Sequence, residues 1–158
     1  MRVINMDSWS RRKHFDFYNS FEQPHFGMCA NVDLTEFHRS VKRAGHSINI
    51  AIIYLIACAA NGIAEFRCRI RGEQVVEHEI VHPSPTILTD DDLFSFCTIK
   101  YSEDYAGFAA RAAERIVEEG EKLKMPLAVQ AHHALMDGLH VGRYYTAVQE
   151  LLDRPEFV

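Results

Sequence analysis

Basic charge is the first thing this sequence is short of. Its 17 lysines and arginines are outnumbered by 22 acidic residues, for a formal net charge of −5. No cationic stripe is left to follow a phosphate backbone, so neither DNA nor RNA is expected as a partner. Cysteine is scarce as well: Cys29, Cys58, Cys68 and Cys97 are scattered, with no C-x-x-C spacing. That excludes the usual zinc and dithiol patterns and leaves reduced thiols used for packing. The longest apolar run, "INIAIIYLIACAA" from Ile48 to Ala60, falls short of the roughly 18 residues that cross a bilayer. It reads as a buried helix, and no membrane partner is expected. The opening "MRVINMDSWSRRKH" has no apolar core of the kind a secretion signal needs, so residence in the cytoplasm is expected. Repeats, low-complexity tracts, Gly-rich phosphate loops and Cys–His nucleophile patterns are also missing.

What is present is an ordinary globular composition, 47% hydrophobic and 25% charged, enough for one core and one domain over residues 1–158. "DSWSRRKHFDFY" reads as a short helix capped by Asp7 or Ser8. "HFGMCANVDL" leans to strand. "LTEFHRSVKRAG" sets Leu34, Phe37 and Val41 on one helical face and stops at Gly45. Ser47 is placed to cap the buried helix, and Gly62 lies beyond its end. "EFRCRIRGEQVVEHEIV" alternates apolar and charged residues around Gly72-Glu73, a hairpin signature. "HPSPTILTDDD" is rich in turn residues, and "LFSFCTIKY" is a further strand. "EDYAGFAARAAERIVEEGEKL" carries Tyr105, Phe108, Ala112 and Ile116 along a helical stripe. "KMPLAVQAHHA" is an apolar strand, and "VGRYYTAVQELL" a closing amphipathic helix. The sum is an α/β fold of the α+β type, a mixed sheet flanked by helices.

The chemistry concentrates in "VQAHHALMDGLHVG", residues 129–142. One reading is two strand histidines, one per face, beside an Asp-Gly turn. A second is a metal set of His133, Asp137 and His140, which share a face only if the segment is helical; Gly138 and the β-like run before it argue against that helix. The third is acid–base catalysis. In a strand His132 and His133 point to opposite faces, so one of them enters a pocket, where a neutral imidazole can take a proton from a hydroxyl near neutral pH.

"HHALMDGLHVGRYYTAVQEL" resembles the C-terminal active-site segment of chloramphenicol acetyltransferases, an HHxxxDGxHVxR-type run following a strand like "PLAVQ". "WSRRKHFDFY" is similar to that family's first helix, and "INIAIIYLIACAANGIAEFRCRI" to its buried helix and the strand after it. "VHPSPTI" and "FSFCTIKYSED" follow in the family's order. The resemblance implies a two-layer sandwich in shortened form and acetyl transfer from acetyl-CoA to an alcohol, with acetyl-CoA a co-substrate rather than a tightly held cofactor. It also implies a homotrimer with active sites between subunits, and no metal. By position it makes His133 the general base of a direct transfer without an acyl-enzyme, pairs Asp137 with Arg11 as the groups that orient the site, and sets Phe17, Tyr18 and Phe94 in the acceptor pocket.

Two departures accompany it. The chain runs straight from "EEGEKL" into "KMPLAVQ", where the family inserts several strands, including an N-x-x-W-x-x-F-like run whose serine stabilises the oxyanion; the single tryptophan here is Trp9. Ser95 and Thr98 lie on a strand, with no spacing that sets them near His133. Glu22, Gln23 and His25 stand where the family is more apolar, a polar wall that can select another acceptor. A catalytically impaired relative that binds an acyl-CoA or a small ligand is the alternative reading.

Overall fold

A computed structural model of the chain describes residues 1–88, 94–114 and 127–156. Strand β1 (Arg2–Val3) leads to helix α1 (Arg12–Tyr18), strand β2 (His25–Ala30) and helices α2 (Thr35–Ala44) and α3 (Ile48–Asn61). A 3₁₀ turn at Ala64–Arg67 opens the hairpin β3 (Cys68–Arg71) and β4 (Gln74–Glu77). Strands β5 (Thr86–Leu88) and β6 (Phe94–Phe96), helix α4 (Tyr105–Ala113), strand β7 (Leu127–His132) and helix α5 (Gly138–Asp153) complete the order.

Helix α3 is the centre of the core because its sequence is apolar on nearly every face. Ser47 caps it, accepting a hydrogen bond from the Ile50 backbone, and it buries Ile50, Ala51, Tyr54 and Leu55. Phe37 and Val41 of α2, Phe108 of α4 and Tyr144, Val148 and Leu152 of α5 pack around it. Fully buried side chains such as Phe37, Leu55 and Phe108 stabilise the fold by about 1.5–3 kcal/mol each. Gly45 ends α2 in the left-handed region, at φ 71°, which a side chain would disfavour. No helix among the described residues is long and apolar enough to cross a membrane.

The α/β class expected from the sequence holds, but the described strands form three small antiparallel sheets rather than one mixed sheet, ordered β1-β4-β3, β2-β7 and β5-β6. The two-residue turn between β3 and β4 permits only antiparallel pairing. Helix α1 is shorter than expected. Asn5 takes the Asp7 N–H and its carbonyl accepts the Ser8 hydroxyl, so neither residue caps the helix. Strand β5 rises from a stretch that reads as turns. Cys68 and Cys97 are buried in packing, as expected of the cysteines, whereas Cys29 is exposed on β2. Helix α4 is described to Ala113, and Ile116 lies outside the described residues.

Candidate active site

Strands β2 and β7 pair from Ala30↔Leu127 to His25↔His132, and that register delivers the His pair to one end of the sheet. The strand stops at His132, two residues before the end of the "KMPLAVQAHHA" run expected as strand. Leu135 and Met136 donate backbone hydrogen bonds to the His132 carbonyl at 3.0 and 3.3 Å, winding residues 133–135 into a turn. His133 N–H still reaches the Pro24 carbonyl at 2.8 Å, so the turn is anchored to the chain entering β2.

The two imidazoles part company there. His132 meets His25 edge to face, centroids 5.4 Å apart. Burial, and then the His25 charge beside it, pull His132 below its ordinary pKa. His133 stacks flat on Tyr18, at 3.9 Å and 3° between planes, with Phe26 tilted against it at 4.7 Å. Its Nδ1 is buried and has no hydrogen-bond partner among the described residues.

Asp137 caps α5. Its Oδ1 accepts the Leu139 N–H at 3.0 Å, and its Oδ2 accepts Nη1 of Arg11 at 2.8 Å. Arg11 stands just before α1 and is only 9% exposed. Its Nη2 lies 3.4 Å from the His133 carbonyl, so one guanidinium holds both the cap and the backbone that carries His133. Burial by itself would raise the Asp137 carboxyl, but hydrogen bonds from Arg11 and His140 hold it well below the usual carboxylate range.

The structure thus gathers His133, Tyr18, Arg11 and Asp137. The alternative metal set of His133, Asp137 and His140 is not assembled, because His133 stands in the turn before α5 while His140 sits inside the helix against Asp137, 2.8 Å from Nδ1 to Oδ1. Among the described residues no three His, Cys, Asp or Glu side chains are grouped to hold a metal ion. Phe17 lies in an aromatic cluster, 5.0 Å from both Tyr18 and Phe21, and is 60% exposed. Phe94 begins β6 opposite Leu88, and its side chain lies outside the described residues, as does that of Ser95. The Thr98 hydroxyl is 3.2 Å from that of Ser84.

Sequence reasoning missed Glu65, whose Oε1 is 3.3 Å from His140 Nε2. A glutamate in a polar 3₁₀ turn reads as a solvated charge, and nothing in the spacing marks it. His140 appeared only as a metal ligand, yet it is buried at 6% exposure and joined to two carboxylates.

The sequence profile described as "Chloramphenicol acetyltransferase" matches residues 1–124 and 111–149 of this chain. A chloramphenicol acetyltransferase of Proteus mirabilis is 25% identical over 204 aligned positions, covering 96% of this chain and 94% of that one. Chloramphenicol acetyltransferase 3 of Escherichia coli is 24% identical over 202 positions, covering 94% and 95%. A solved chloramphenicol acetyltransferase structure superposes with a TM-score of 0.84 at 20% identity, covering 96% of this chain and 99% of that one. The aligned spans exceed the 158 residues available, so these relatives carry positions that this chain lacks. The two profile matches overlap at 111–124, where the sequence runs directly from α4 toward β7. The chain belongs to the chloramphenicol acetyltransferase family of CoA-dependent acyltransferases.

Proposed function

We propose that this chain moves the acetyl group of acetyl-CoA to a hydroxyl of chloramphenicol or a similar small alcohol, with His133 as general base. The observation that carries this reading is the fixed imidazole: a ring stacked on Tyr18 at 3.9 Å, on a backbone whose carbonyl faces the guanidinium that grips Asp137. Nδ1 is buried, which leaves Nε2 as the nitrogen to take the proton. The deprotonated hydroxyl attacks the thioester carbonyl directly, the tetrahedral intermediate expels the CoA thiolate, and the proton on His133 passes to that sulfur. Because no acyl-enzyme forms, both substrates occupy the site together. Phe17, Tyr18 and Phe94 line the acceptor side in this reading, with Arg11 and Asp137 holding the geometry.

The family resemblance further suggests a homotrimer with the site between copies, as one domain spanning residues 1–158, in the cytoplasm where acetyl-CoA is available. Phe17, Phe21 and Met28, exposed by 60%, 47% and 38%, are the apolar surface that such an arrangement covers.

One observation favours a second reading, a non-catalytic scaffold for an acyl-CoA or small ligand. The chain lacks internal positions of its relatives, and the family's oxyanion serine falls in the run that is missing. Loss of one such donor costs about 10²–10³ in turnover.

Thiol release from acetyl-CoA in the presence of chloramphenicol, measured for the chain and for His133→Ala, tests the first reading. The variant is expected to lose about 10²–10⁴ of the rate. Equal turnover in both would remove His133 from the mechanism. Acetyl-CoA binding without turnover in either would favour the scaffold.

A further inference from the structure

Among the described residues the buried polar or charged side chains are Arg11 and His140, and acetyl transfer leaves His140 unused. Its position as the third residue of α5 explains one contact, since a side chain there can return to the cap residue. It does not explain the other. Nε2 points away from the cap to Oε1 of Glu65, at 3.3 Å, on the 3₁₀ turn between α3 and β3. A cap needs no partner on a different element.

The contacts form one continuous series. Glu65 Oε1 meets His140 Nε2 at 3.3 Å, His140 Nδ1 meets Asp137 Oδ1 at 2.8 Å, Asp137 Oδ2 meets Arg11 Nη1 at 2.8 Å, and Arg11 Nη2 reaches the His133 carbonyl at 3.4 Å. Two neighbours compete for Nδ1, because the Asp137 backbone N–H is also 3.2 Å away. The ring thus stands between the carboxylates of Glu65 and Asp137, one at each nitrogen, and Arg11 supplies the cation paired with Asp137. Glu65 faces inward, its side chain only 27% exposed.

We propose that Glu65 and His140 are positioning residues for His133, acting through Asp137 and Arg11 to fix the backbone and ring of the base. The proposal rests on the acetyl-transfer reading for its catalytic consequence, and its structural part stands apart from it. Neither residue touches substrate. Without the Glu65 carboxylate His140 Nε2 loses its contact outside α5, the ring is no longer held against Asp137 Oδ1, and Arg11 is freed to shift relative to the His133 carbonyl. A displacement of that kind lowers the rate at saturating substrate and leaves ground-state binding in place.

The experiment uses the full chain, Glu65→Gln, Glu65→Asp and His140→Asn, with two readouts. Steady-state kinetics separate kcat from KM for acetyl-CoA and for chloramphenicol. Nitrogen-15 NMR of histidine-labelled protein follows the ring signals of His133, and thermal melts run alongside. Glu65→Gln, nearly isosteric, is expected to lower kcat about tenfold with both KM values within about twofold, and to shift the His133 ring signals. Glu65→Asp, which restores the charge, is expected to recover part of kcat. Wild-type kcat and unmoved His133 signals in Glu65→Gln and in His140→Asn would overturn the proposal, whatever happens to the melting temperature. If the unaltered chain shows no transfer, the acetyl-transfer reading fails first, and the His133 signals alone then decide: movement in Glu65→Gln sustains the positioning role, and its absence ends it.

Discussion

The charged flank of His133 and its aromatic flank are organised by the same short helix, α1, and they differ in kind. At the helix start Arg11 is 9% exposed, and its ionic partner Asp137 meets His140, which in turn meets Glu65. At the other end Phe17 is 60% exposed, with Phe21 and Met28 nearby in sequence also open to solvent. On the charged flank each ionic partner comes from the same chain, in keeping with the rule that buried charges are tolerated only when paired. The aromatic flank is not complete, since an exposed cluster of large apolar side chains is surface awaiting cover. On the proposed reading the base is preorganised within the single chain, and the acceptor side is finished by a ligand or by another copy.

The largest effect is expected on the charged flank. Asp137→Asn keeps a good N-cap but removes the partner of a buried guanidinium. The side chains of this pair are 10% and 30% exposed, so the cost should fall at about 2–3 kcal/mol, between the values for exposed and fully buried pairs. Urea denaturation at neutral pH measures it, and a cost under about 0.5 kcal/mol would show the pair to be a surface contact in effect. The pH dependence follows. Burial opposes the Asp137 charge, but Arg11 and His140 hold the folded-state carboxyl below its ordinary value. Its stabilising contribution is thus full above the ordinary carboxylate range and is lost as pH falls through that range toward the depressed folded-state value. The unaltered chain should lose its advantage over Asp137→Asn progressively in acid. A gap between the two that stays constant down to strongly acidic pH would contradict that assignment.

On the aromatic flank the expected effect is on binding. Phe17→Ser combined with Phe21→Ser removes exposed rings, so stability should change by no more than about 0.5 kcal/mol per site. The KM for chloramphenicol should rise about tenfold with the KM for acetyl-CoA unchanged. If sedimentation shows that the double variant also loses a larger assembly, the cover is another copy as well as a ligand. Unchanged KM and unchanged assembly would mean that this flank is neither acceptor wall nor interface.

How much of this was legible depends on how local the cause is. Helix α3 was plain, because its apolar run begins at a serine cap and ends near a glycine. So was the β3–β4 hairpin, where Gly72 adopts φ 59° at the turn. Strand β5 was hidden because its ladder continues through prolines: Pro85 and Pro83 accept from Cys97 and Ile99 but have no N–H to donate, so the segment reads as turns. The shortened α1 turned on Asn5 capturing Asp7 and Ser8, a side-chain competition that periodicity does not register. At the site, His133 and Asp137 stood out by motif, and Arg11 was reached by resemblance. Glu65 and His140 are 75 residues apart in the numbering, and only the packing of α5 against the 3₁₀ turn joins them.

The smallest expected effect sharpens the comparison most, because it concerns the neighbouring arginine. Arg12 also makes two ionic contacts, Nε to Asp16 at 3.0 Å and Nη1 to Asp7 at 3.3 Å, but its side chain is 45% exposed and those of its partners 56% and 94%. Water competes for every one of these groups, so Arg12→Ala should change stability by at most about 0.5 kcal/mol, less in high salt, with kcat unaltered. Arg11→Ala, one residue earlier, leaves Asp137 and the His133 carbonyl without their donor and should cost several times more, with loss of turnover. Parallel melts and thiol-release rates on the two variants make the test. An equal loss at both positions would mean that the site depends on the helical integrity of α1 as a whole, and that burial of the Arg11 guanidinium is incidental to how His133 is held.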